Sequence, residues 1–381
     1  MHILKCHEIV KTDFVKAENC YLYDSEGKKY VDFESGIWCT VLGHNHPRIN
    51  RVIHHQIQKV MHLGTRYLSP VVEEAAAELL DITGLKDGRC VFLSSGSEAV
   101  EFAVQIARRL IRKPRWLGFA RSYLGAYGSA GKKDAAEAWL FDWEQCLNRA
   151  PEEWLPQIPF DQIGALVFEP GGSGIGFVKF PPPEIVRMLF NKVKQHGGLV
   201  VVNEVTTGIC RTGQWFGFQP YDLQPDIVAV GKGLGNGYPV SAVVMRKELA
   251  EALEATGFYY AQSHQNDPLG AAVAREVIST IREEGWIENG REKGEYFLAG
   301  LKQLEQERKL VKEARGRGLL LGLELWPDER RNVQNIYRKL LDCGYLVGYY
   351  SAGNVLRFDP ALTIDHEDIT RLLEVLAEIL K

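Results

Sequence analysis

The chain has 381 residues, enough for a large buried core at roughly 150 residues per domain. Apolar residues at 45%, charged residues at 25% and aromatic residues at 10% exclude disordered, fibrous and collagen-like classes. Lys+Arg 45 against Asp+Glu 49 leaves a net charge of −4, so no basic excess offsets a phosphate backbone and nucleic-acid binding is not expected.

The opening stretch MHILKCHEIVKTDF is broken by Lys5, His7, Glu8 and Lys11 and holds no signal-peptide core. No apolar run approaches the roughly 18 residues of a membrane helix, so a cytoplasmic protein without a membrane partner is expected. The 7 cysteines are scattered and odd in number, which argues against a disulfide framework or a cysteine-based zinc site. His44-Asn45-His46 and His54-His55 come without a carboxylate or cysteine cluster. They read as a turn and a helix surface, and no metal is expected.

Between residues 90 and 245 short apolar runs alternate with helical patterns, the pattern of a parallel sheet covered by helices. The runs are Cys90–Leu93, Trp116–Ala120, Ile163–Phe168, Leu199–Val202, Ile227–Val230 and Ser241–Met245. Glycine and proline in the stretch after Glu169, PGGSGIGFVKFPPP, predict a loop. After about residue 272 come long amphipathic helices, two apolar segments at Leu319–Leu325 and Gly344–Val347, and a helix from His366 to Lys381. The expected fold class is α/β. Residues 46–272 form a large domain with a mainly parallel central sheet, and residues 1–45 and 273–381 form a smaller α+β domain from both chain ends.

Open parallel sheets bind ligands beyond the carboxyl ends of their strands. Cys90–Leu93 is followed by Ser94-Ser95-Gly96-Ser97-Glu98 and a helix with apolar residues at Val100, Ala103, Val104, Ala107, Leu110 and Ile111. Ser95 with Glu98 predicts a capping box, and Gly96 and Ser97 expose N–H groups at the positive helix end, which suits a phosphate. A capped helix with a tight turn is the plainer reading. Leu199–Val202 leads to Asn203 and Glu204, and Ile227–Val230 to Gly231-Lys232-Gly233. Most lysines are solvated surface charges. In a desolvated cleft Lys232 instead becomes a Schiff-base nucleophile of lowered pKa. Ile163–Phe168 ends at Glu169, and Trp116–Ala120 leads to Ser122-Tyr123-Leu124-Gly125. A phosphate anchor, a lysine, a polar partner and an aromatic platform thus fall at strand ends, which is what pyridoxal phosphate requires. The Gly231–Gly237 run is only superficially a dinucleotide fingerprint, since its lysine and the Tyr238-Pro239 that follows fit a different loop.

The stretch VVNEVTTGICRTGQWFGFQPYDLQPDIVAVGKGLGNGYPVSAVV resembles the class III (omega-type) aminotransferases, fold-type I pyridoxal phosphate enzymes. Supporting blocks are YVDFESGIWCTVLGHNHPRI, FLSSGSEAVEFAVQIAR, GRGLLLGLEL and VLRFDPALTI, and the likeness runs from about residue 20 onward. It implies an amino transfer between an amino acid or amine and a 2-oxo acid. Lys232 would form the Schiff base and shuttle the Cα proton, Gly96 and Ser97 would hold the phosphate, and Tyr123 would stack on the ring. Ser263 would reach the phosphate of the neighbouring subunit in a homodimer, Arg357 would hold a substrate carboxylate, and Trp38 would line the substrate pocket.

Several positions depart from the family pattern. Asn203 stands where the family has an aspartate for the ring nitrogen, a charge-assisted bond worth about 1.5–3 kcal/mol. Asparagine can donate to an unprotonated nitrogen instead, leaving a weaker electron sink. A racemase or epimerase, and a slow or non-catalytic variant, are the alternatives this opens; a tolerated substitution that alters only the rate is the blander one. Gly172 and Gly174 replace the loop's glutamine and second glutamate, which leaves Arg357 constantly available and favours α-carboxylate substrates. Leu124 replaces a histidine after the stacking aromatic, and residues 125–159 form a shorter segment than is usual. Arg66 meets either a substrate carboxylate or an acidic neighbour. Glu169 either orients the substrate or is an ordinary strand-end carboxylate.

Overall fold

The computed structural model describes residues 2–10, 12–171, 177–329 and 331–381, so Gly172 and Gly174 lie outside the described residues. Near the start of the chain β1 (Phe14–Glu18), β2 (Tyr21–Asp24) and β3 (Lys29–Asp32) pair antiparallel in succession. The central sheet is built from β4 (Arg89–Leu93), β5 (Arg115–Phe119), β6 (Ala138–Phe141), β7 (Ile163–Phe168), β8 (Leu199–Asn203), β9 (Ile227–Val230) and β10 (Ser241–Met245). Its spatial order is β4-β10-β9-β8-β7-β5-β6. Later come β11 (Val311–Arg317), β12 (Leu320–Leu325), β13 (Tyr345–Leu346), β14 (Gly348–Tyr350) and β15 (Val355–Phe358). A third sheet has the order β11-β12-β15-β14, while β13 joins the first sheet by running parallel to β3, with Tyr345 beside Val31.

The α/β class with a mainly parallel central sheet is what the apolar runs predicted. Strands β6, β5, β7, β8 and β9 are parallel neighbours, and β10 runs against both β9 and β4. Side-chain alternation along β8 explains the layers. Val201 faces a core with Ala229 and Val243 and the helix Gly96–Leu110. Val200 and Val202 face the other core with Val228, Val230 and the helices Pro183–Gln195 and Pro268–Glu283. Both faces are therefore covered, as parallel strands demand. The edge strand β6 escaped the sequence reading because AWLF follows DAAE, a stretch rich in helix formers.

One local feature shapes the site. Ser35, Gly36, Ile37 and Trp38 form a left-handed turn with φ of 41, 57, 60 and 68°. Each non-glycine residue there costs roughly 1–2 kcal/mol. Asp32 offsets this by accepting the N–H groups of Glu34 and Ser35 at 2.8 and 2.9 Å. Ser35 Oγ donates to the Asp359 carbonyl at 2.5 Å and accepts from Arg211 Nη2 at 3.1 Å.

Candidate active site

Strand β9 delivers Lys232 directly into a tight turn, Lys232–Gly235, with the lysine itself at φ 46°. Its Nζ donates to Thr206 Oγ1 at 2.9 Å and lies 4.1 Å from the centre of the Trp38 ring. Burial favours the neutral amine and pulls its pKa down to about 8, against a smaller upward pull from Glu169. This is the desolvated lysine that the sequence reading required rather than a surface charge.

The helix Gly96–Leu110 begins beside it. Ser95 Oγ accepts the Glu98 N–H at 3.2 Å, while the Glu98 carboxylate accepts from Ser94 N at 3.0 Å. The expected capping box thus closes one residue earlier than the Ser95 backbone. Gly96 is required by close approach: a Cβ there would stand 2.4 Å from Val205 Cγ1, and one on Gly231 would meet both Gly96 Cα and Val205 Cγ1 at 3.4 Å. The helix start, the end of β8 and the end of β9 therefore meet around Val205.

Four predicted residues share one hydrogen-bond web. Asn203 Nδ2 donates to the Tyr123 carbonyl at 2.9 Å, and Asn203 Oδ1 accepts from Val205 N at 3.1 Å. Tyr123 N donates to Glu169 Oε2 at 3.1 Å. Ser97 Oγ accepts from Ala126 N at 3.0 Å, so the helix start is tied to the segment after Tyr123. Glu169 is buried at the end of β7, and its charge opposes the fall in the lysine's pKa that burial causes.

Trp38 and Arg357 form the opposite wall. The guanidinium of Arg357 lies 3.8 Å from the centre of the Trp38 ring, so the ring carries both this cation and Lys232 Nζ against it. Arg357 Nε donates to Asp359 Oδ1 at 2.6 Å, Nη1 to Tyr350 OH at 2.7 Å and Nη2 to Glu34 Oε1 at 2.7 Å. Gly348 leaves room for this fork, since a Cβ there would lie 2.5 Å from Nη2. The expectation of a constantly available arginine is corrected: Arg357 is engaged by the carboxylates of Glu34 and Asp359 and by the Tyr350 hydroxyl. Glu34, Asp359, Tyr350 and Thr206 were missed in the sequence. Glu34 and Asp359 each stood as a charge inside a quoted block, YVDFESGIWCTVLGHNHPRI and VLRFDPALTI, but nothing in their spacing pointed to Arg357.

The remaining candidates lie elsewhere. Ser263 is exposed on a segment held by Tyr260 OH to Glu98 Oε1 at 3.2 Å and by Asn266 N to the Phe92 carbonyl at 3.0 Å. Arg66 is exposed, and Leu124 is buried. His44 bonds Asp32 at 2.8 Å, and His54 and His55 sit in the last turn of the helix Pro47–Ile57. Among the described residues His62, His264 and Asp267 lie together, with Asp267 bonded to both rings at 2.5 and 2.6 Å, which pins the Ser263 segment to residue 62.

The donor set fits pyridoxal phosphate. The first N–H groups of the helix at Gly96 and Ser97 have no intrahelical partner and suit its phosphate. One amide hydrogen of Asn203 goes to Tyr123, which leaves the second for a ring nitrogen. Lys232 offers an amine of lowered basicity. Among the described residues the buried Trp38 Nε1 has no hydrogen-bond partner and stands ready for an acceptor.

Comparison with known proteins agrees with this geometry. The sequence pattern of the family Aminotransferase class-III matches residues 5–130 and 129–380. An acetylornithine aminotransferase of Aquifex aeolicus is 32% identical over 386 residues, covering 96% of each chain. A leucine/methionine racemase of Thermococcus litoralis is 28% identical, covering 95% of this chain and 89% of its own. The crystal structure of acetylornithine aminotransferase from Elizabethkingia anophelis superposes with a TM-score of 0.85 at 25% identity, covering 100% of this chain and 96% of that one. The chain belongs to the class III aminotransferases, pyridoxal phosphate-dependent transferases that move an amino group between an amino acid or amine and a 2-oxo acid.

Proposed function

We propose that Lys232 is the residue that carries the cofactor and moves the substrate proton, and that Arg357 receives the substrate carboxylate. The carrying observation is the desolvated, half-buried Lys232, its pKa lowered to about 8, just past the end of β9 and against the same Trp38 ring as the Arg357 guanidinium. Pyridoxal phosphate, when bound, supplies a carbonyl carbon for amine capture and an electron-withdrawing ring that makes the substrate Cα proton acidic. Gly96 and Ser97 N–H groups hold its phosphate, with Ser263 of a second copy completing the anchor. Tyr123 would cover a face of the ring, and Asn203 would offer its remaining amide N–H to the ring nitrogen. Once freed, Lys232 Nζ takes the Cα proton as a general base and returns it as a general acid, a role worth typically 10²–10⁴-fold in rate. Thr206 Oγ1, at 2.9 Å, keeps the amine aimed. Glu169 orients the substrate beside it.

A homodimer that shares its active sites accompanies this reading. Support comes from Met61, Tyr67, Leu68 and Tyr259, large apolar side chains left 57, 71, 86 and 86% exposed, of which Met61 adjoins His62, bonded to Asp267, and Tyr259 precedes Ser263 in the chain. Residues 1–45 and 273–381 act as the smaller domain against 46–272, supported by the pairing of β3 with β13. The cytoplasm suits the free cysteines, and among the described residues no helix is long and apolar enough to cross a membrane.

The test supplies the cofactor-loaded protein with L-amino acids and a 2-oxo acid and follows products. A keto acid formed in step with a new amino acid supports transfer, and its loss by about 10³-fold in Lys232→Ala supports the lysine's role. Loss of optical rotation without a keto acid would shift the reading to racemisation. Undiminished transfer in Lys232→Ala would end it.

A further inference from the structure

The Arg357 fork has three partners of unequal permanence. Asp359 is fully buried, and Tyr350 is neutral. Glu34 is the charged partner with a way out: its side chain keeps 31% of its surface exposed, while that of Arg357 keeps 3%. Its backbone is fixed, since Glu34 N is bonded to Asp32, so only the side chain can leave. A substrate carboxylate docking in two-pronged fashion on Nη1 and Nη2 needs the place that Glu34 Oε1 occupies at 2.7 Å.

Building on the reading of Arg357 as the carboxylate receptor, we propose that Glu34 is a specificity-determining gate. It sits on the guanidinium when the bound amine lacks a carboxylate and yields its place when the substrate brings one. With Glu34 in place Arg357 is neutralised, and an uncharged substituent can lie against Trp38 without meeting a bare buried cation. When Glu34 is displaced the incoming carboxylate takes over that neutralisation. One arginine thus serves two substrate types with no glutamate in the loop after Glu169.

The surroundings of Glu34 make its release sensitive to pH. Arg357 favours its ionised form, whereas burial and the carboxylates of Asp359 and Asp32 oppose it, with burial the largest effect. Tyr350 and Tyr349 on β14 and Tyr337 on the helix Val333–Asp342 also face it. The outcome is a carboxyl raised to about 7. Protonation abolishes its competition for Arg357, so carboxylates bind more tightly as pH falls through 7.

The experiment measures propionate binding to the cofactor-loaded protein by titration calorimetry between pH 6 and 8, in the parent, Glu34→Gln and Arg357→Lys. Propionate has the carboxylate but no amine, so nothing turns over. The parent should bind about tenfold more weakly at pH 8 than at pH 6. Glu34→Gln should bind about tenfold more tightly than the parent at pH 8 and lose the pH dependence. In the same variant kcat/KM should fall for an amine without a carboxylate. Unchanged or weaker propionate binding in Glu34→Gln, alongside clear weakening in Arg357→Lys, overturns the gate and leaves Arg357 as the receptor. Parent-like binding in Arg357→Lys, where the two-pronged fork is lost, removes the receptor reading itself.

Discussion

Lys232 and Asn203 show how much a single side chain's surroundings decide. An ordinary lysine is almost wholly protonated at neutral pH; burial brings this one to about 8, so a useful fraction is already nucleophilic. The sign follows directly: the neutral form dominates above about 8 instead of above 10.5. Capture of pyridoxal phosphate by the apo-protein, followed by visible absorbance, should accelerate about fivefold from pH 7 to 8 and level off above about pH 9. A rate still climbing steeply beyond pH 9 would mean that the amine is not desolvated. Asn203 is equally embedded. An aspartate in its place would set a carboxylate oxygen against the Tyr123 carbonyl, where the amide now donates at 2.9 Å. Asn203→Asp in the apo-protein should therefore lose about 1–3 kcal/mol and melt at lower temperature, which differential scanning calorimetry reads directly. The asparagine belongs to a local web, and restoring the family's charge carries a local cost.

At the level of elements, the helix Gly96–Leu110 does two jobs with one terminus. Ser95 caps it, and Ser95→Ala should cost about 1 kcal/mol in urea unfolding without moving the cleft. Gly96→Ala differs in kind, since its Cβ would collide with Val205 Cγ1 at 2.4 Å and push the helix start from the ends of β8 and β9. It should cost roughly 1–3 kcal/mol and weaken cofactor retention on dialysis more than Ser95→Ala does. These elements were readable in the sequence because the apolar runs that end them stop at or just before a candidate site residue. Lys232, Asn203, Glu169 and Gly96 each sit at or just past a strand end, so finding the strands found the residues. The partners of Arg357 were not readable in this way. Glu34, Tyr350 and Asp359 lie on different elements and meet only through tertiary packing, which periodicity does not encode. β6 was hidden for another reason: AWLF is apolar throughout but only four residues long, and it directly follows helix formers.

For the molecule as a whole, the substrate wall is a junction of distant pieces. Asp359 is bonded to Arg357 and lies in the field of Arg211, a second fully buried cation that also holds Ser35 and the carbonyls of Leu319 and Pro360. Asp359→Asn would leave these two arginines under-compensated. It should lose about 3–5 kcal/mol in urea unfolding, far more than the cap variant. The left-handed turn at Ser35–Trp38 has a consequence in time as well as in space. Its conformation is unfavourable by itself, and among the groups that hold it are Arg211 and the Asp359 carbonyl. Glu34 and its partner Arg357 are 323 positions apart in the chain. At a synthesis rate of about 5–20 residues per second, the ribosome delivers that partner on the order of tens of seconds after the turn has emerged. Until then Trp38 has no arginine to stack on and Lys232 has only part of its cover. A nascent chain therefore carries an unfinished wall beside Lys232, and the Arg357 cluster is assembled only after synthesis has passed Asp359.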